Sequence, residues 1–347
     1  MAGTTRFGGK ERMARDTHTP SQLSLFGTPD AAALAPVVGA AAVTPDLVTL
    51  GRRLPAQLYL GTSSWAFPGW QGLVYDRAAS TSTLARHGLA AYAQHPLLRT
   101  VCLDRTFYTP ISAAEYADYA AVVPDDFRFL VKAHAWCTQP TRHIAPRSPT
   151  HREVVNEVFL QPDYAIEHVV APWCAGLGPK AGPLLFQFSP MDVRALGGPQ
   201  AFATRLHTFL AALPSGPCYA VEVRNAALLC PAYVQALTDL GVCHCYNVHP
   251  NMPTPEAQQR LVPCEAMPAL VVRWSLHPGQ RYEAAKARYQ PFHRLVDADL
   301  ASRHAIAALC RTALAAGRPA FVTANNKAEG SAPHTVMHLA ASIAHAL

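Results

Sequence analysis

Eight short runs rich in Val, Leu, Phe and Tyr recur along this chain, and helical spacing fills most of the gaps between them. The runs are LYLGTSSW (58–65), LRTVCLDRTF (98–107), FRFLVKAHA (127–135), GPLLFQFS (182–189), CYAVEVRN (218–225), VCHCYNVH (242–249), ALVVRWSL (269–276) and PAFVTANN (319–326). Their length, their β-branched and aromatic content and the Pro and Gly around them mark buried strands. Helical patterns include TLARHGLAAYAQH, SAAEYADYAAVV with Ser112 as N-cap ahead of Glu115, and PAYVQALTDLG, which opens on proline and closes on glycine. DADLASRHAIAALCRTALAAG (297–317) and SAPHTVMHLAASIAHAL complete the set. Such alternation predicts an α/β chain folded as a TIM (β/α)8 barrel. An open doubly wound sheet would place a glycine fingerprint after its first strand, and GTSSWAFPGW is not one. Residues 136–180 read as a long insertion after the third strand, on the face where barrels build their sites.

Composition narrows the function classes. Hydrophobic residues make up 50% of 347, ample for a large core, and the net charge is +6 from 29 basic and 23 acidic residues. That is a mild bias toward anionic partners, well short of a dedicated DNA coat. The nine cysteines include no C-x-x-C spacing, which speaks against a disulfide framework or a zinc cluster. Cys243 and Cys245 share one strand face and read as small apolar side chains. No run reaches the ~18 apolar residues that cross a bilayer, so no membrane partner is expected and the cytoplasm is the expected compartment. Residues 31–43, AAALAPVVGAAAV, are apolar but hold a proline and follow both acids and bases, unlike a secretory leader. Up to about Pro55 no period is sustained, so residues 1–55 read as a disordered tail or linker ahead of a barrel domain at 56–347.

In a barrel the strand C-termini face the site, so polar residues there are the ones to weigh. Asp104 and Thr106 share a parity, as do Lys132 and His134, and Glu222 and Arg224. Gln187, Asn247, His249, Arg273, Asn325 and Asn326 end their strands in the same way. A buried lysine is costly without an anion, so Lys132 reads as a phosphate or carboxylate binder, or else as an ion-pair partner of Glu222 or Asp104. Glu222, Lys132 and Asp104 are the candidate catalytic groups. Trp65, Tyr108, His134, Gln187, Arg224, Asn247, Arg273, Asn325 and Asn326 are the candidate substrate contacts. Trp65, Phe67 and Trp70 either stack a base or sugar at the mouth or plug the barrel end. Three cations converging on one mouth suit an anion, phosphate above all. Asp104, His134, Glu222 and His249 are metal-ligand types without metal-ligand spacing, and neither metal nor cofactor is expected.

The motifs G-T-S-S-W-A-F-P-G-W, T-F-Y (106–108), F-x-F-x-V-K-A (127–133), G-P-L-L-F-Q-F, A-V-E-V-R-N and the late A-N-N stand in order from Leu58 onward. Together they resemble the YecE-like family, domain of unknown function 72. The resemblance implies a TIM barrel and leaves the reaction open. The sequence departs from the family pattern at V-C-L-D-R-T-F-Y, where V-E-I-N-S-T-F-Y is usual, and at E-V-R-N, where E-F-R-H is usual. Ser64-Trp65 also stands in place of a Gly-Trp pair.

In the tail, Q-L-S-L-F (22–26) resembles the bacterial sliding-clamp-binding peptide. Gln22 would supply directional hydrogen bonds while Leu23, Leu25 and Phe26 fill an apolar pocket from a mobile tether. The expectation is a DNA-binding or phosphodiester-directed barrel brought to the DNA polymerase sliding clamp, with hydrolysis or elimination as its chemistry. An enzyme of small sugars or phosphorylated metabolites and a non-catalytic adaptor are the alternatives.

Overall fold

In the computed structural model, which describes residues 38–144 and 152–345, each of the eight runs forms a strand. In chain order these are β1 (Leu58–Thr62), β2 (Thr100–Leu103), β3 (Arg128–Lys132), a hairpin of β4 (Thr141–Ile144) and β5 (Arg152–Val155), β6 (Ala181–Phe188), β7 (Tyr219–Val223), β8 (Cys243–Val248), β9 (Leu270–Trp274) and β10 (Ala320–Ala324). The barrel closes in the order β1-β10-β9-β8-β7-β6-β3-β2, and every neighbouring pair is parallel. Residues of both parities are buried in these strands, as a sheet covered on both faces requires. One face packs on the helices. The other fills the barrel with Cys102, Leu130, Leu185, Ala220, Cys243, Cys245, Ala269, Val271 and Phe321. Cys243 and Cys245 thus pack as small apolar groups, as expected.

Two residues further along seven strands, the same inward face turns polar, giving Asp104, Lys132, Gln187, Glu222, Asn247, Arg273 and Thr323. Register aligns much of this ring: Gln187 pairs with Glu222, Asn247 with Arg273, and Arg273 with Thr323. β1 contributes Gly61, opposite both Thr323 and Thr100. A Cβ there would lie 1.8 Å from the Thr100 carbonyl oxygen, so only glycine lets β1 and β2 close the wall.

The helices follow local signals. Ser112 and Glu115 form a reciprocal capping box at Ala113–Ala121. Pro231–Leu240 ends on Gly241 at φ +61°. The Asp299 side chain accepts from the Ser302 N–H at the start of Leu300–Ala315, and Ala332–Ala344 is the last helix described.

Three departures have physical causes. The 136–180 segment is only partly insertion. After the β4–β5 hairpin, helical turns over residues 162–177 form the ordinary crossover from β3 to β6. Pro172 enters that helix behind a π turn at Ile166–Val170, which absorbs the hydrogen bond a proline cannot donate. A further crossover helix, Gly198–Ala211, buries Phe202, Ala203, Leu206, Phe209 and Leu210 at helical spacing behind a Gly-Gly-Pro start. Finally, the stretch read as linker to Pro55 contains a helix, Pro45–Arg53, capped by Thr44. It buries no residue fully, yet Leu47, Leu50 and Leu54 rest on the core and Arg53 donates to the Ala344 carbonyl at 3.1 Å. Gln22, Leu23, Leu25 and Phe26 lie outside the described residues. Among the described residues, no helix is long and apolar enough to cross a membrane.

Candidate functional site

Glu222 is the fixed point of the mouth. It is fully buried, and its Oε2 accepts from Arg273 Nη1 at 2.6 Å while its Oε1 accepts from Arg224 Nε at 2.9 Å. Burial pushes this carboxyl up, but Arg273, Arg224 and Lys132 outweigh it and hold it at about 2. Such a group is ionised at neutral pH and acts as counter-charge to both guanidiniums.

Arg273 joins the two acids. Its Nη2 donates to Asp104 at 3.3 Å and 3.5 Å, opposite the Glu222 contact. Burial pulls this guanidinium down, while Glu222 and Asp104 raise it further, so it remains charged. Gln187 Oε1 lies 3.5 Å from Nη1, and Gln187 Nε2 donates to Ser189 Oγ at 3.2 Å. The Cys102 thiol donates to Asp104 Oδ1 at 3.1 Å, and burial followed by the Asp104 charge pushes that thiol up.

Lys132 differs from its cationic neighbours. Its ammonium lies 3.9 Å from Asp104 Oδ1, beyond hydrogen-bond distance, and 3.9 Å from the centre of the Phe107 ring. Among the described residues no acceptor hydrogen-bonds it. Burial lowers its pKa and Arg273 adds to the effect, against the opposing pull of Asp104. Lys180 shows what a structural lysine looks like in this protein: it donates to the Ala120 and Val123 carbonyls at 2.9 and 2.7 Å.

The remaining candidates divide. Tyr108 stands 76% exposed at the rim. His134 is buried beside it, with Nδ1 2.7 Å from the Tyr164 hydroxyl, and burial holds the imidazole at about 4. Asn325 Nδ2 donates to Ser63 Oγ at 2.7 Å, and its Oδ1 accepts from the Lys327 backbone N–H at 3.0 Å. Arg224 is partly exposed, with its Nε on Glu222. His249, behind it, is lowered by burial.

Four of the residues weighed for the mouth do other work. Trp65 points into the core, donating from Nε1 to the Leu84 carbonyl at 3.0 Å and packing edge-on against Tyr119. Trp70 is fully buried, and its Nε1 donates to Asn326 Oδ1 at 3.2 Å. The tryptophans are therefore a plug. Asn326 is the clasp beneath it, also accepting from the Ala332 N–H at 2.8 Å to pin the last helix. Asn247 is sealed inside the barrel, where Nδ2 donates to the Val223 carbonyl at 2.9 Å.

Parity also misleads at Thr106. β2 stops at Leu103, and Arg105–Phe107 form a 3-10 turn, so the Thr106 hydroxyl is directed to the carbonyls of Leu103 and Lys132 at 2.7 and 2.6 Å. That turn seats Phe107 against Lys132, a contact for which sequence offered no signal beyond the T-F-Y motif. Sequence reasoning also missed a buried support. The Tyr233 hydroxyl lies 2.9 Å from His244 Nδ1, His244 Nε2 lies 3.2 Å from Gln258 Oε1, and Gln258 Nε2 donates to the Asn247 carbonyl at 2.8 Å. The departures from the family pattern land in different places. Cys102 touches the site, Arg105 pairs outside with Glu115 at 2.7 Å, and Asn225 holds the Met191 backbone at 3.0 and 3.1 Å.

Comparison with known proteins agrees with this architecture. A DUF72 family protein from Enterococcus faecalis V583 superposes with a TM-score of 0.53 at 18% identity, covering 82% of this chain and 95% of its own. A second, from Thermotoga maritima MSB8, gives 0.56 at 17% identity, with 81% and 97% covered. Identities this low establish a shared fold. Among proteins of curated function, none matches the chain. The family model described as "Protein of unknown function DUF72" matches residues 59–346, the whole barrel, and the chain therefore belongs to that family.

Proposed function

We propose that the barrel mouth binds a phosphate-bearing ligand through Lys132 and Arg224, with a nucleic-acid strand as its source. The observation that supports this is the charge balance: among the described residues, Lys132, Arg224 and Arg273 face Asp104 and Glu222. That leaves one positive charge over beside the buried Lys132, and an anion cancels it. Arg273 is engaged between the two carboxylates. Lys132 has three N–H donors and no hydrogen-bonded acceptor among the described residues, and Arg224 engages Glu222 through Nε alone. Both therefore have donors to offer phosphate oxygens. Glu222 orients both arginines, and Asp104 holds Arg273 from its other side.

Binding to single-stranded, nicked and abasic DNA at low salt, read by mobility shift, tests the proposal. The wild-type protein should bind. Lys132→Ala should weaken binding roughly tenfold or more, the scale of one charge-assisted hydrogen bond. Absence of wild-type binding to all three DNAs and to inorganic phosphate would sink the reading.

The tail supplies the location. We place the protein at the replication sliding clamp through Gln22, Leu23, Leu25 and Phe26, because the Q-L-S-L-F spacing carries the anchors of a groove-binding peptide. Leu25→Ala with Phe26→Ala should abolish clamp capture and leave the thermal midpoint of the barrel unchanged. A lowered midpoint would mean instead that the tail docks on its own barrel.

A further inference from the structure

We infer that the ligand's phosphate carries a nucleobase, and that the open ring of Tyr108 is the platform on which that base stacks. The inference builds on the reading that the mouth holds a phosphate. Tyr108 and Tyr282 are the two most exposed tyrosines described, at 76% and 56%. A single exposed tyrosine is ordinary on a protein surface. This one is tied to the cationic site by direct contacts. The Lys132 ammonium lies 3.9 Å from the centre of the Phe107 ring, and the Phe107 and Tyr108 rings meet edge to face at 5.5 Å. A phosphate on Lys132 would thus lie one aromatic ring away from Tyr108, a gap that the sugar of a nucleotide spans.

The backbone carrying that ring is held firmly. The Tyr108 N–H donates to the Arg105 carbonyl at 3.0 Å, and Thr106 fastens the same turn to the Lys132 carbonyl at 2.6 Å. Nearby, the Tyr164 hydroxyl holds the buried His134 ring at 2.7 Å. A fixed position with an open face is a preorganised surface, which lowers the ordering cost of binding.

The groups around the ring select the class of substituent. Burial raises the Tyr108 phenol, with the Asp104 charge and Tyr282 adding to it and Arg224 opposing. Tyr282 in turn carries the Lys327 ammonium 4.3 Å from its ring centre. An open tyrosine ring beside a cationic site suits stacking of a flat heterocycle. Reading a sugar would instead take free carboxylates or amides to pair its hydroxyls. Here Asp104 is bonded to Arg273 and Cys102, and Asn325 to Ser63 and Lys327. Since every base has a π face, the platform should tolerate all four.

Calorimetric titration of the full chain with inorganic phosphate, ribose 5-phosphate, adenosine 5′-monophosphate and a single-stranded hexanucleotide tests this. Adenosine 5′-monophosphate should bind roughly ten- to a hundredfold tighter than ribose 5-phosphate, the scale of one base on one aromatic ring. Tyr108→Ala should erase that gain while leaving ribose 5-phosphate binding unchanged, and Tyr108→Phe should keep it. A hexanucleotide at least as tight as the monophosphate assigns the base to a strand, whereas a weaker one assigns it to a free nucleotide; both support the platform. Equal affinity for adenosine 5′-monophosphate and ribose 5-phosphate overturns the inference and leaves the phosphate reading standing. No binding of any of the four probes overturns that reading as well.

Discussion

Glu222 and Lys132 show how differently two buried ionic side chains of one barrel behave. Glu222 has two guanidiniums in contact, whereas Lys132 shares a carboxylate with Arg273 and reaches it only at 3.9 Å. Removing the Glu222 charge leaves Arg224 without its carboxylate and the buried Arg273 with Asp104 alone. Glu222→Gln should therefore destabilise the barrel by about 3–5 kcal/mol at pH 7, read as a lowered urea midpoint with unchanged m-value. A midpoint like the wild type would mean that solvent compensates the arginines. Asp104 carries a related lesson. In the family pattern the inward acid stands at position 102 with an amide at 104, whereas this chain has Cys102 and Asp104. Both positions face inward, so the carboxylate stands one step nearer the opening, and the thiol below donates to it at 3.1 Å.

Elements were legible where the signal is local. A capping box needs only Ser112 and Glu115 three residues apart, and it forms as the spacing predicts. Ser112→Ala should cost about 1 kcal/mol in unfolding free energy, and loss of much more would mean that Ser112 also has a tertiary role. All eight barrel strands are likewise legible, because each is a short apolar run between breakers. Their ends are less so. β2 stops at Leu103 rather than continuing to Phe107, since the chain turns through a 3-10 helix whose hydroxyl bond from Thr106 reaches across to β3. That bond joins residues far apart in sequence, and no window on β2 alone contains it. Gly198–Ala211 carries a regular apolar stripe, but the glycines and proline at its start disguise it as loop.

At the scale of the whole molecule, buried ionisable groups make the fold sensitive to acid. His95, His134 and His244 are held at about 4, against an ordinary 6.5, because burial penalises the imidazolium. Each binds fewer protons folded than unfolded, so its contribution is complete above pH 6.5 and is lost as pH falls through 4. Glu222 acts in the same direction lower down. Its carboxyl is depressed from 4.5 to about 2, so its stabilisation is complete above pH 4.5 and lost as pH falls toward 2, roughly 3 kcal/mol in all. Unfolding free energy measured against pH should fall in both windows, and Glu222→Gln should flatten only the lower one. A flat profile between pH 6.5 and 4 would contradict the buried neutral histidines.

By itself, the sequence determined the strands, most of their helices, the barrel they close and the inward parity of Asp104, Lys132, Glu222 and Arg273. These follow from period, breakers and burial, which are properties of neighbouring residues. Which polar groups meet was decided only by tertiary structure. Parity says which face a side chain takes, but not how high it stands in a staggered barrel or what lies opposite. Hence Asn326 and Trp65, equally plausible in sequence, became clasp and core, while Arg273 came to bridge two acids that stand 51 and 169 residues before it. Lys132 was left without a hydrogen-bonded carboxylate among the described residues, because the nearest one was already held by that arginine.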